Sequence, residues 1–381
     1  MDLIDAVIAE RRASGDPLEV VRTAGYRAAI VGGGFMGEVH ARAVRASGGT
    51  VVAVAGRDAD SGRRAAARLG VGRHHDDIDA LVADDDVEVV HVCTPNSSHH
   101  AIALAAIEAG KHVVCEKPLA TTAADAAELR EAAERAGRVG TVPFVYRFHP
   151  MVREARERVR AGGLGRLVLV HGSYLQDWLA RADDDNWRVD ATTGGASRAF
   201  ADIGSHWCDL MEFVTGQRIE SVSAQVCTVT PRRGDRDVLT EDLVTLQLRT
   251  DAGVCGATVV SQVSPGRKNR LWLEVSGTDG TLAFDQEDPE RLWHGRRGAS
   301  ELLVRDDEVM APAAARYNRV PAGHPQGYQD CFNAFVEDTA AAVRGETPDG
   351  LPTFADGARS AAVVDAVLQA ARGSSWVTVP A

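Results

Sequence analysis

Short apolar runs alternate with longer amphipathic stretches over roughly the first third of the chain. "YRAAIV", starting at Tyr26, has the unbroken apolar character of a strand buried on both faces. A glycine-rich turn follows, and Phe35 to Ala46 shows helical spacing. "VVAVA", "VEVVHVC", "HVVCE" and "VGTVPFVYR" repeat the strand signal. "SGRRAAARLG", "SHHAIALAAIEAG" and "ATTAADAAELREAAERAG" lie between them as helices, each closed by a glycine that suits a left-handed C-cap. Ser97 or Ser98 is the expected N-cap of the middle one. Strands alternating with helices predict a parallel sheet with helices on both faces.

The rhythm changes after Arg147. A helix over 150–161 leads to the strand-like "RLVLVHGSYLQDW", and a further helix is expected near 201–214. "IESVSAQVCTVT", "EDLVTLQLRT", "VCGATVVSQV", "LWLEVSGT" and "GTLAFDQ" then come in succession, as in an antiparallel or mixed sheet. Residues 286–323 are polar and read as an irregular surface excursion, and 326–345 and 353–372 return to helix. At the other end, Leu3, Ile4, Val7 and Ile8 share one helical face, so 1–24 is expected to be an added helix. The organisation is an extension (1–24), an α/β domain (25–148) and an α+β domain (149–381) with a large open sheet.

Bulk properties narrow the function classes. With 381 residues, two or three domains fit. A net charge of -12 argues against nucleic acid, whose partners carry the opposite sign. No apolar run approaches the ~20 residues of a membrane span, and "MDLIDAVIAERR" lacks signal-peptide character. The six cysteines are scattered without a CxxC pair, which points to a reducing, cytoplasmic setting without disulfides or a zinc knuckle.

The first chemistry lies in "IVGGGFMGEVHA". Gly32, Gly34 and Gly37 have GxGxxG spacing between a strand and a helix, around Phe35 and Met36. Glycine permits the tight turn, the approach of a pyrophosphate and the close seating of the helix. The helix N-terminus offers its free N–H groups to phosphate. The first domain is therefore read as a Rossmann dinucleotide-binding domain. An acid that holds the adenosine ribose usually ends the second strand. Here Gly56 takes that place and Arg57 follows. Arginine suits a 2′-phosphate, so NADP is favoured over NAD, with Asp58 as the alternative ribose partner. Thr94, Pro95 and Asn96 end the third strand, where open α/β sheets bind ligands, and His99 follows on the nicotinamide side.

"CEKPLA" ends the next strand at Glu116 and Lys117. A lysine there points into the same crevice and can stabilise charge on a substrate oxygen during hydride transfer. Pro118 restricts Lys117 to extended geometry. In "FADIGSHWCDL", Asp202, His206 and Asp209 stand at i, i+4 and i+7 on one expected helical face. His206 has the side chain suited to proton exchange near neutrality. Two such ligands make no zinc site, and no metal is expected.

"GGGFMG", "TPNSSH", "CEKPLA" and "GGASRAFADIGSHWCDL", in this order, make the chain resemble the Gfo/Idh/MocA oxidoreductases, relatives of glucose-fructose oxidoreductase and inositol dehydrogenase. The resemblance runs from about Tyr26 to the C-terminus. It implies that Lys117 is catalytic, that the Lys117–Pro118 bond is cis, and that Asp202 and His206 supply the acid/base pair. It also implies a sugar, inositol or related polyol as substrate, and a homodimer or homotetramer. An open sheet face rich in Val and Leu fits such an assembly. Arg147, Trp178, Tyr328 and His324 are weaker candidates for substrate contact, joined by Lys117, Asp202 and His206 themselves. Two other readings stay open: an NAD-dependent glycoside-cleaving enzyme, and a cofactor-binding sensor without turnover.

Overall fold

A computed structural model describes residues 26–380. The helix expected over 1–24 lies outside the described residues. The first domain holds strands β1 (Arg27–Val31), β2 (Thr50–Ala55), β3 (His74–His75), β4 (Val89–Val92), β5 (His112–Cys115) and β6 (Gly140–Thr141). All pair in parallel, in the order β3-β2-β1-β4-β5-β6. The order reverses between β1 and β4, and the gap beyond their carboxyl ends is where such sheets bind dinucleotides.

Helices α1 (Phe35–Ala46), α2 (Ala59–Leu69), α3 (Ile78–Val82), α4 (His99–Glu108) and α5 (Ala123–Ala136) make the crossovers. Local chemistry sets their ends. Asp58 and Thr122 cap α2 and α5 through side-chain oxygens that accept from Ser61 N and Asp125 N. Gly70 and Gly137 close the same helices in the left-handed region. Ser98 takes the N-cap position of α4, but its side chain makes no cap hydrogen bond. Asn96–Ser98 forms a 3₁₀ turn, and Ser98 Oγ lies 2.7 Å from Thr94 Oγ1 and 2.8 Å from the Pro95 carbonyl oxygen. "VGTVPFVYR" is also a shorter strand than expected. Pro143 has no N–H for a ladder, and Val145–Phe148 turns as 3₁₀.

In the second domain, α6 (Pro150–Arg160) precedes β7 (Leu167–Leu175), and α7 (Ala191–Gly194) and α8 (Ser205–Thr215) precede β8 (Ile219–Cys227). A small ribbon, β9 (Arg232–Arg233) and β10 (Arg236–Asp237), leads to β11 (Leu243–Thr250), β12 (Cys255–Ser261), β13 (Arg270–Gly277) and β14 (Thr281–Asp285). Residues 286–323 are more ordered than their polarity suggested. They contain β15 (Arg291–Gly295), β16 (Ser300–Val304) and α9 (Pro312–Ala315). The alternation in "RLWHG", with Leu292 and His294 buried, carries the sheet outward. With the terminal β17 (Val377–Thr378), the nine strands run β16-β15-β14-β13-β7-β12-β11-β8-β17, antiparallel except for β7 beside β12.

Helices α10 (Tyr328–Val343) and α11 (Phe354–Gly373) return to the first domain. Phe332 and Phe335 of α10 join the core around Ile30, Val44 and Val114. In α11, Phe354, Ala358 and Ala361 enter the core on the other face of the parallel sheet, while Val363, Val367 and Ala370 enter the core of the second sheet. The carboxyl ends of β1, β4 and β5 therefore face the end of β7, the loop that enters β13 and the start of α8 across one cleft.

Candidate active site

The cleft encloses about 1560 Å³. At one end lies the glycine turn. Gly32 has φ +96, and a Cβ there would meet the Cys93 carbonyl oxygen at 2.7 Å. A Cβ on Gly37 would meet the Gly32 oxygen at 2.2 Å, so side chains are excluded by the fold itself. Gly34 has nothing within 4 Å of its Cβ position and presents bare backbone to the cleft beside Phe35 and Met36. This cradle fits a dinucleotide pyrophosphate at the start of α1.

The end of β2 lacks an acid for a steric reason. A side chain at Gly56 would strike Ser61 Oγ at 2.3 Å and Gly62 N at 2.6 Å. Asp58 caps α2, accepting from Ser61 N at 2.8 Å, and is not part of the cleft wall. Arg57 lines the cleft, as do Arg64 and Arg68 one and two turns along α2. The two α2 arginines are a feature that sequence reading missed, although their spacing from Arg57 was visible.

Thr94, Pro95 and Asn96 form the middle of the wall. Asn96 Nδ2 donates to the Gly194 carbonyl oxygen at 2.8 Å and ties the two domains together. His99 is buried with Nδ1 2.7 Å from the Pro118 oxygen and Nε2 2.9 Å from the Thr94 oxygen. A neutral imidazole has one N–H, so His99 donates to one of these carbonyls at a time and braces the turns on either side, with a ring edge in the cleft wall.

At the carboxyl end of β5, the Lys117–Pro118 peptide is cis. Lys117 Nζ donates to Asp202 Oδ1 at 2.6 Å and to the Asp202 carbonyl oxygen at 3.1 Å. Asp202 Oδ2 accepts from Gln262 Nε2 at 2.8 Å, and Arg188 Nε stands 3.4 Å from Oδ1. Burial opposes ionisation of Asp202, but Lys117 and Arg188 more than offset it and hold the carboxyl well below its ordinary range.

Asp202 sits in a π-turn, Phe200–Gly204, that opens into α8. Glu241 fixes the start of this turn: its Oε1 accepts from Ser197 Oγ at 2.7 Å, Phe200 N at 2.9 Å and Arg198 N at 3.0 Å. His206, a turn later, is packed between the rings of Phe144 and Tyr146. Burial, and then the nearby Lys117 charge, push its pKa down to about 3. The imidazole is therefore neutral near pH 7, with a buried Nδ1 that has no partner among the described residues.

Asp209 does not continue the stripe into the cleft. Its Oδ2 accepts from Arg147 Nε at 2.8 Å, and Arg147 also reaches Asp356 Oδ1 at 2.8 Å. Arg147 is thereby buried between two carboxylates and is absent from the cleft wall, contrary to its expected substrate contact. Trp178 and Tyr328 do line the cleft, whereas His324 is absent from its wall and its backbone oxygen accepts from Arg305.

Between them lies a network of uncharged groups. Asn269 Oδ1 accepts from Tyr174 OH at 2.7 Å and from Gln176 Nε2 at 2.8 Å, and Asn269 Nδ2 donates to Tyr146 OH at 3.2 Å. Trp178 Nε1 donates to Gln176 Oε1 at 2.8 Å. Among the described residues, one cluster of three candidate metal-ligating side chains occurs, His100, Asp125 and Glu128, and it lies outside this cleft.

Residues 26–144 match the oxidoreductase family described by an NAD-binding Rossmann fold, and residues 152–283 match the GFO/IDH/MocA C-terminal domain. The chain belongs to the Gfo/Idh/MocA oxidoreductase family. Among its Gfo/Idh/MocA relatives, a levoglucosan dehydrogenase of Pseudarthrobacter phenanthrenivorans is 30% identical, with 92% of this chain and 97% of that protein covered. An inositol 2-dehydrogenase of Saccharopolyspora erythraea is 34% identical, with 92% and 94% covered. A levoglucosan dehydrogenase in complex with NADH and levoglucosan superposes with a TM-score of 0.87 at 29% identity, over 93% of this chain and 99% of that one. Like these family members, the protein is a nicotinamide-dependent oxidoreductase. No described helix is long and apolar enough to cross a membrane.

Proposed function

We propose that the protein transfers hydride reversibly between NADP and a secondary hydroxyl, or the matching keto carbon, of an unphosphorylated sugar, inositol or related polyol. The observation that carries this reading is the meeting of Lys117, Asp202 and His206 where the glycine-turn crevice opens into the Tyr146–Tyr174–Gln176–Asn269 network. A bound nicotinamide supplies the hydride acceptor. Neutral His206 takes the proton from the substrate hydroxyl. The Lys117 ammonium stabilises the alkoxide as it develops, and Asp202 holds that ammonium in place. Amide and phenol groups on the far wall pair with further hydroxyls, and Trp178 offers a flat apolar face to a sugar ring.

The arginine set Arg57, Arg64 and Arg68 favours NADP, since three guanidiniums suit a 2′-phosphate and the wall lacks Asp58. Thr94, Pro95, Asn96 and Glu116 line the nicotinamide half, and Tyr328 lines the substrate half with Trp178. A homo-oligomer is part of the same reading. The solvent face of the second sheet carries Leu169 and Val259 beside Thr245 and Gln247, a more mixed surface than the sequence suggested.

The test is to add NAD and NADP separately to the purified protein with a panel of inositols, aldoses and anhydrosugars, and to follow nicotinamide reduction by absorbance. Reduction of one cofactor by a narrow set of polyols is expected. Lys117→Ala should retain cofactor binding and lower kcat by roughly a hundredfold or more, in line with loss of one charge-stabilising donor. Silence with polyols and with keto-sugars alike, despite measurable cofactor binding, would overturn the reading.

A further inference from the structure

A histidine in the middle of a buried parallel strand is costly unless both ring nitrogens find partners. His91 is such a residue: it lies in β4 among Val89, Val90 and Val92 and has no exposure. Its Nδ1 stands 2.9 Å from Nδ1 of His40, which is also fully buried, and its Nε2 stands 3.4 Å from Tyr26 OH. His40 Nε2 in turn lies 3.0 Å from Glu116 Oε1. Glu116 Oε2 accepts from the backbone N of Lys117 at 3.1 Å.

With both rings neutral, these contacts admit one consistent arrangement of protons. A carboxylate only accepts, so His40 must donate from Nε2. Neutral His40 is then an acceptor at Nδ1, and His91 must donate from its own Nδ1. His91 Nε2 is left as the acceptor of the Tyr26 hydroxyl. Every donor in the row points towards Glu116.

We propose that His91 and His40 are positioning residues, which act through Glu116 to hold the Lys117 backbone in register with Asp202. The row crosses one face of the parallel sheet and ends at the cleft, under Phe332 of α10, whose ring centroid lies 5.0 Å from that of His40. Burial opposes ionisation of Glu116, and the bond from His40 is the largest influence that offsets it. The titratable groups facing Glu116 are His40 from α1, Cys93 after β4, His99 from α4, Cys115 and Lys117 around β5, and His206 and Tyr328 across the cleft. Of these, only His40 joins Glu116 to the sheet interior.

The inference rests on Lys117 belonging to the active site, so the experiment has two independent arms. In protein labelled with 15N-histidine, the ring nitrogen shifts should show His40 as the Nε2–H tautomer and His91 as the Nδ1–H tautomer, assigned with His40→Gln and His91→Leu. The opposite tautomers, or charged rings, at neutral pH would overturn the proposal whatever the substrate is. In the second arm, His40→Leu and His91→Leu should raise the pH of the acid limb of kcat by about one unit, which is about a tenfold loss of kcat below that limb. His40→Gln, which keeps a donor near Glu116 Oε1, should restore most of the wild-type profile. Should the leucine variants fail to fold, Tyr26→Phe removes only the outermost donor and should shift the limb in the same direction by less. Profiles that superimpose on wild type, with thermal stability alone reduced, would reduce the row to core packing.

Discussion

In the proposed reaction, Lys117, Asp202 and His206 divide one task by environment. Lys117 and Asp202 neutralise each other at 2.6 Å, whereas His206 is stripped of water and stays neutral. His206→Asn should therefore lower kcat by about a hundredfold, the typical share of a positioned proton acceptor, while KM for the dinucleotide stays within about twofold. Burial also gives His206 a stability signature. Its folded pKa, about 3, lies below the unfolded value near 6.5, so its contribution is complete above pH 6.5 and is lost as pH falls towards 3. The acid melting curve of His206→Asn should be flatter than wild type over that window, measured by circular dichroism. At the other end of the cleft, Arg64→Ala with Arg57→Ala should raise KM for NADP by about tenfold or more and leave KM for NAD nearly unchanged, read from initial rates. Much of this was legible because strand ends in a parallel sheet share one edge. Arg188 and Gln262, which reach Asp202, and Asn269, which joins Tyr146 to Tyr174, were not legible, since they come from loops whose positions depend on how the second sheet docks. Arg147 misled for a related reason: a lone arginine after a strand does not reveal that Asp209 and Asp356 arrive from α8 and α11 to neutralise it.

At the scale of elements, the glycine turn and the π-turn are the two places where backbone geometry sets chemistry. Gly37→Ala puts a methyl 2.2 Å from the Gly32 oxygen, so α1 must move off β1. Dinucleotide affinity should fall by about a hundredfold or more in a fluorescence titration, with the second domain still folded by circular dichroism. The alternation of strands and helices was readable because each element carries its own period and cap. The π-turn at Phe200–Gly204 was not readable: Asp202 and His206 keep their i, i+4 spacing, but Glu241, far along the chain, fixes where the turn begins. The strands after Asp285 were missed because one exposed face gives them a polar composition, although "RLWHG" alternates as an edge strand should.

The whole molecule is held by α11. Phe354 fills a site so close to Gly140 that a Cβ on that glycine would stand 2.7 Å from its ring, and Val142 N donates to the Pro352 oxygen at 3.1 Å. Phe354→Ala should cost about 3–5 kcal/mol, the usual range for a buried phenylalanine, and lower Tm in a scan that follows both domains together. A melt in which only the second domain responds would contradict this shared core. The arrangement also bears on how the protein is made. Synthesis is vectorial, and early domains tend to fold as they leave the ribosome. Here the parallel sheet emerges first, yet Phe332, Phe335 and Phe354, which seal its two faces, are translated long after its last strand, β6. Until then the nascent chain presents two uncovered apolar flanks, so a chaperone that binds exposed hydrophobic surface should associate with ribosome-stalled chains ending near residue 320 and release once residue 373 has emerged.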